Sequence, residues 1–293
     1  MPSVSETQFT ARELILATCE IPAVPVVALK VLRVIEDPYA LVSDIQRVIV
    51  ADEALASRIL RIANAAFYGR RQKIDTISEA ITVLGLHAIK VITLAVSTRE
   101  VYKRLGLTEQ KLWEHSLGVS LASGIIGGRL SLVKAEEATV AGLVHDIGKA
   151  IMNNSQPDRF SILTKTVWEQ RVQFLSLEQD FFGFTHAEAG ALFAEKWGFP
   201  KCLREAIRRH HLVSSSECSE GWDAEERTLC EVVALADAIC VRLGIGYRGP
   251  MGHLDLGEER LMTVLGLTSE RLDVLESLFK DAYVRERTFY MEQ

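Results

Sequence analysis

The sequence predicts an all-α fold, an N-terminal helical bundle packed on a second helical domain of a different character. Three observations carry this. Apolar residues recur at three- and four-residue intervals through almost every segment. No stretch of useful length alternates apolar with polar residues, as a half-buried strand would. The punctuation is that of helices: Pro22 and Pro25 precede one apolar-periodic run, and Gly69, Gly198 and Gly244 follow others.

In order along the chain, "VVALKVLRVIED" (26–37) reads as the first long helix. Residues 42–69 give two more, the first capped by Ser43 and the second stopped by Gly69. Residues 75–97 supply a further pair, broken near Gly85. "HSLGVSLASGIIGG" (115–128) is rich in small residues, which lets helices approach closely. "THAEAGALFAEKWGFP" (185–200) opens with a Thr185/Glu188 capping box and ends at Gly198 and Pro200. "KCLREAIRRHH" is a short helix, followed by the polar loop "SSSECSEGWDAEE" and a long apolar helix ending at Gly244. After a Gly/Pro-rich linker, two helices over 258–267 and 269–287 close the chain. The expected division is residues 1–107 for the bundle, 108–250 for the second domain and 251–293 for a C-terminal extension.

Composition narrows the function classes. The chain has 293 residues, 48% of them hydrophobic, enough for a well-buried core. With 33 Lys and Arg against 39 Asp and Glu, its net charge of −6 gives no general nucleic-acid signal. Five cysteines without a CxxC pair fit reduced thiols. The N-terminal residues carry no basic-then-apolar leader, and no apolar run reaches the ~18 residues of a membrane span. A cytoplasmic protein with no membrane partner is expected.

The chemistry is concentrated in "AGLVHDIGKAIM" (141–152), where His145, Asp146 and Lys149 interrupt an apolar run. Asp237 poses the same problem, being the sole charged residue between Val232 and Val241. An ionised carboxylate buried without a partner is costly, so a cation must lie near it. Arg242 is one candidate and a metal ion another. Five of the seven histidines fall between residues 115 and 211. His115, His145, Asp146, His186, His210, His211 and Asp237 thus form a candidate ligand set of imidazoles and carboxylates, suited to iron, zinc, manganese or nickel. Seven donors exceed the needs of one tetrahedral ion and suit a pair bridged by a carboxylate, for which Asp146 is the candidate.

The order H…HD…H…HH…D, with the dyad inside "HDIGK", resembles the metal-dependent HD superfamily, and the full order most resembles the HD-GYP phosphodiesterases. That resemblance covers about 108–245 and implies that the seven residues are metal ligands, that Lys149 faces a substrate phosphate, and that iron is the favoured metal. The preceding half, through "LRIANAAFYG" and "AITVLG", resembles the HDOD domain, a bacterial signalling module related to HD hydrolases. Two departures stand out. "LVSSSEC" replaces the GYP tripeptide after "HH", and Lys111 stands where some trimetallic relatives place a glutamate, against a third ion.

Taken together, the resemblance implies a signal-transduction protein with a dinuclear metal site, with Asp146 and Lys149 as candidate catalytic residues for hydrolysis of a phosphate-containing small molecule or nucleotide. The alternative is a non-catalytic signalling or redox-sensing module that meets a protein partner and uses its metals for structure or sensing. His87 and His253 read as ordinary structural histidines, and "YGRRQK" (68–73) as a solvated basic stretch. Phe181, Phe182, Phe184, Trp197 and Phe199 read as core and lid packing.

Overall fold

The computed structural model describes residues 10–23, 25–66, 73–102, 106–212, 222–246, 249–250, 252 and 256–291. His253, residues 68–72 of "YGRRQK" and the whole of 213–221 lie outside the described residues. Within them the fold is all-α, with no strand. No helix among them is long and apolar enough to cross a membrane.

Helix α1 (Ala11–Thr18) starts at a Thr10 capping box, in which Thr10 Oγ1 accepts from the Glu13 N–H while Glu13 accepts from the Thr10 N–H. The bundle that follows comprises α2 (Val26–Glu36), α3 (Val42–Val50), α4 (Glu53–Ala66) and α5 (Ile77–Ser97). Contrary to the expected Ser43 cap, α3 begins after Leu41, because Asp44 reaches back to accept the Leu41 N–H at 3.0 Å. The break expected near Gly85 is present: Gly85 takes φ 82° and ψ 164°, a backbone conformation essentially reserved for glycine, and splits α5 into two segments. A short 3-10 turn, Thr98–Val101, then leads into the second half.

The second half is organised around α6 (Leu107–Leu130) and α7 (Ala135–Val144). Every residue of α6 from Trp113 to Gly127 is buried. A helix covered on all sides belongs at the centre of a domain. Its small residues serve this: Ser120 Oγ donates to the Thr139 carbonyl of α7 at 2.7 Å. Around this pair stand α8 (Ile147–Ser155), α9 (Pro157–Gln170), α10 (Leu175–Phe182), α11 (His186–Lys196), α12 (Lys201–Arg209) and α13 (Ala224–Leu243). The C-terminal α14 (Glu258–Val264) and α15 (Ser269–Met291) pack on α13 and α6 respectively.

One continuous apolar core runs from the bundle, through α6 and α7, into the C-terminal helices. Phe182, Phe184, Trp197 and Phe199 are buried in it, as packing residues. The N-terminal segment is strapped across α11: α1 packs against it, Arg12 pairs with Glu195, and Trp197 Nε1 donates to the Pro22 carbonyl.

Candidate metal centre

All seven candidate ligands converge, although they come from five separate places in the chain. His115 projects from the buried middle of α6. His145 and Asp146 form the junction between α7 and α8, Asp146 being the residue that caps α8. His186 opens α11, set by the Thr185/Glu188 capping box that the sequence shows. His210 and His211 follow the last turn of α12, and Asp237 stands midway along α13.

Two groups result, one of Asp146, His186, His210 and His211 and one of His115, His145 and Asp237, with the donor atoms within each lying within 4.8 Å of one another. Asp146 faces both. Its Oδ1 lies 3.1 Å from His186 Nε2 and 3.7 Å from His210 Nε2, while its Oδ2 lies 3.5 Å from His145 Nε2 and 3.7 Å from His115 Nε2. Ligands around one small first-row ion, each about 2.0–2.2 Å from it, stand roughly 3–3.5 Å apart.

Hydrogen bonding fixes which nitrogens face the centre. Carbonyls and carboxylates only accept, so a ring nitrogen within bonding distance of one carries a hydrogen. His115 Nδ1 donates to Ile245 O at 3.1 Å, His145 Nδ1 to Gly142 O at 2.8 Å, and His210 Nδ1 to Ile207 O at 2.9 Å. His186 Nδ1 donates to both oxygens of Glu178 at 2.7 Å. In a neutral ring the Nε2 lone pair of each then points inward. This anchoring of the outer nitrogen is the usual second-layer arrangement around metal-bound histidines.

The Nε2 atoms of these four rings are thereby left as acceptors, and His115 Nε2 faces a second acceptor, Asp237 Oδ1, at 2.9 Å. His211 Nε2 lies 3.0 Å from His186 Nε2. His145 Nε2 and Asp146 Oδ1, both buried, make no hydrogen bond; His186 Nε2 approaches the latter closely but without bonding alignment. Buried polar atoms without partners are rare, and each calls for an explanation. A proton between one pair of atoms leaves the others opposed, whereas a cation in each group satisfies them all. The donor set fits metal binding.

The local electrostatics supply the protonation states that ligands need. Burial, helped by His210 and His115, depresses the His145 pKa to about 3, so its ring is neutral. Burial and the neighbouring His210 and His186 push His211 down as well. Burial resists ionisation of Asp146, but Lys149, His145 and His186 overcome it and hold its carboxyl well below the usual range. Asp237 is likewise lowered against the pull of burial, chiefly by His115, whose Nε2 lies 2.9 Å from Asp237 Oδ1. Burial also opposes charge on His186, yet Glu178 and then Asp146 raise it to about 9. Before an ion can bind, that proton must leave.

Three features differ from what the sequence alone conveys. Arg242 does not serve Asp237; its guanidinium pairs with Glu258 and Glu276, which hold it on the far side of α13. Asp237 is less deeply buried than its apolar neighbours imply, with 13% of its side chain exposed. Lys149 is buried on α8, one turn beyond Asp146, and its Nζ lies 2.6 Å from Asp146 Oδ2, so the amine first serves the central carboxylate.

Glu178 was not among the residues singled out in the sequence. It is fully buried on α10, and besides the His186 ring it accepts the His186 backbone N–H at 2.9 Å. A signal was present, because Glu178 lies four residues from both Phe174 and Phe182, on the apolar face of its helix. Glu178→Gln is expected to weaken metal binding by about 10–100-fold, as loss of a second-layer carboxylate does. Competition against a chelator of graded strength measures this, and unchanged affinity would remove Glu178 from the site.

Beside the centre lies a cavity of about 200 Å³, with His115, Asp146 and Lys149 on its floor. Its walls are Leu107, Leu112, Phe160, Val167, Trp168 and Phe174, with Thr108, Lys111 and Thr164 among them. The ring of Phe174 lies 4.9 Å from Lys149 Nζ.

Comparison with known proteins agrees with this architecture. The chain is 27% identical over 193 residues to an uncharacterized protein of Treponema pallidum (strain Nichols), a match covering 66% of this chain and 38% of that one. The chain thus spans well under half the length of that relative. An HDOD domain protein from Geobacter sulfurreducens superposes with a TM-score of 0.63 at 24% identity, over 92% of this chain and 95% of that one. A candidate metal-dependent phosphohydrolase from Shewanella amazonensis SB2B superposes with a TM-score of 0.66 at 20% identity, over 95% of each chain. At these identities the two structures establish a shared fold. Residues 21–213 match the HDOD domain, a span that takes in the bundle and every candidate ligand but Asp237, and the chain therefore belongs to the HDOD domain family.

Proposed function

We propose that this chain is a signal-transduction HDOD protein whose two donor groups hold two first-row metal ions and hydrolyse a phosphoester. The observation that carries the reading is the position of Asp146, one oxygen toward each group of inward-facing imidazole nitrogens. A ligand set of imidazoles and carboxylates with no thiolate suits iron, manganese, nickel or zinc, and iron is the metal that the family resemblance favours. When bound, such ions supply Lewis acidity toward a phosphoryl oxygen and bring the pKa of water toward neutrality.

The chain's own residues account for the rest. Asp146 and Asp237 bring the negative charge that makes a dication pair tolerable in a buried site, and His145 and His211 remain neutral for the reason already given. Lys149, on the cavity floor, places a compact positive charge where the nonbridging oxygens of a phosphate would rest. Phe174 and Val167 add apolar surface beside it, which strengthens the charge interactions at the floor. In the reaction a water oxygen bonds to phosphorus, the ester P–O bond breaks, and the leaving oxygen takes up a proton.

Lys149→Ala is expected to lower turnover of an aryl phosphoester by on the order of 100-fold, the usual cost of losing one such donor. Metal content should stay close to that of the wild type, because the amine is not a ligand. Parallel elemental analysis and a chromogenic phosphoester assay test this. Loss of the metals together with activity would assign Lys149 to holding Asp146 alone.

A second, non-catalytic reading draws on how the ligand helix is attached. On α8, Asn154 Nδ2 donates to the Val101 carbonyl in the turn that joins the bundle to α6, and Asn153 Nδ2 donates to Glu109 at 2.7 Å. The state of the centre could be passed along this tie to the bundle and on to a protein partner. Metal-loaded protein that turns over no phosphoester, but whose bundle changes its hydrogen-exchange protection when the metal is removed, would favour that reading.

A further inference from the structure

We infer that the site takes phosphoesters whose organic part is one compact apolar group. This deepens the phosphoester reading and rests on it. The argument starts from the walls of the cavity rather than its floor. Phe160 and Val167 are fully covered in the core, while Trp168 and Phe174 are half-buried, each presenting part of a ring to the space. Leu112 and Leu107 complete an apolar lining, Leu107 standing exposed beside the space.

Of the polar groups on those walls, two are already engaged within the protein. The Thr164 hydroxyl donates to the Phe160 carbonyl of its own helix at 2.8 Å. Lys111 is paired with Glu114 at 2.8 Å, and Glu114 in turn accepts from the Tyr283 hydroxyl. Reading a nucleobase requires donors and acceptors placed against its edge, and discrimination by an apolar wall comes instead from size and shape.

Size is restrictive here. An apolar cavity of about 150 Å³ is filled by one benzene molecule. The roughly 200 Å³ available beside the centre therefore accommodates a single six-membered ring or a short branched chain, joined to a phosphoryl group at Lys149 and Asp146.

The test measures binding, not turnover. Calorimetric titration of the metal-loaded full chain would use inorganic phosphate, methyl phosphate and phenyl phosphate. Phenyl phosphate is expected to bind roughly tenfold or more tightly than methyl phosphate, as burial of a ring provides. Thr164→Phe, which fills the cavity, should close the gap between the two monoesters, and Trp168→Ala should narrow it. If methyl and phenyl phosphate bind alike, or if the gap survives in Thr164→Phe, the inference fails while the phosphoester reading stands. If none of the three probes binds, the phosphoester reading fails and this inference with it.

Discussion

Asp146→Asn is expected to take the metal content of the purified protein from about two ions per chain to nearly none. The change is almost isosteric, so its effect is electrical and chemical. An asparagine amide offers one weak oxygen donor in place of two charged oxygens, and Asp146 is the residue whose oxygens face both donor groups. Lys149 also loses the carboxylate 2.6 Å from its amine. Removing one partner of a buried ion pair costs about 3–5 kcal/mol, because the other charge is left uncompensated. Metal loss and a fall in stability should therefore appear together.

His211→Ala is the informative contrast. His211 belongs to the group of Asp146, His186 and His210 and not to that of His115, His145 and Asp237, so its loss should cost about one ion rather than two. Elemental analysis of both variants, alongside circular dichroism to establish that they fold, reads the difference. An Asp146→Asn protein that keeps both ions would show that this carboxylate is not shared, and the dinuclear proposal would fall.

Gly148→Ala should be the most damaging single methyl group in the protein. A Cβ built on Gly148 lies 1.9 Å from the His186 carbonyl oxygen and 2.8 Å from the Gly190 nitrogen. Both obstacles are backbone atoms of α11, so no side chain can rotate out of the way. Helices α8 and α11 would have to separate, at a cost of about 3 kcal/mol or more, or on the order of 10 °C in Tm for a chain of this size. The site would suffer with the fold, since this crossing is what holds His186 beside Asp146.

Gly128→Ala provides the control, because a Cβ there meets only the Ala135 methyl, at 3.1 Å. It should be close to neutral, the helix propensity gained offsetting a small adjustment. Thermal unfolding of the two variants side by side tests the claim. A Gly148→Ala protein as stable as the wild type would mean that the crossing has slack the structure does not show.

These two residues also mark how far the sequence could be read. The period of the apolar residues, Pro25, Gly85 and the Thr185 capping box were enough for the helices, since caps and breaks act within a few residues of themselves. The ligands were legible for a related reason. Imidazoles and carboxylates inside apolar runs pose a desolvation problem that a reader can recognise without coordinates. His145, Asp146 and Asp237 announced themselves in this way. Glu178 did so only faintly, because a glutamate on a short helix looks like any exposed charge until its neighbours at four-residue spacing are known to be buried.

What the sequence determined by itself, then, is local: where several of the helices start or stop, and which residues could not be left in an apolar interior alone. Tertiary structure decided the rest. It divided seven donors into two groups with Asp146 between them, sent Arg242 to Glu258 and Glu276 instead of Asp237, and set Lys149 against the central carboxylate. It also enclosed a small apolar cavity whose walls come from α6, α8, α9 and the segments around Phe174 and Gly246. The physical reason is that capping and periodicity depend on neighbours a turn away, whereas coordination geometry and cavity volume depend on how closely distant helices can approach. That approach is set here by contacts such as Gly148 against His186, whose outcome is visible only once the whole core has packed.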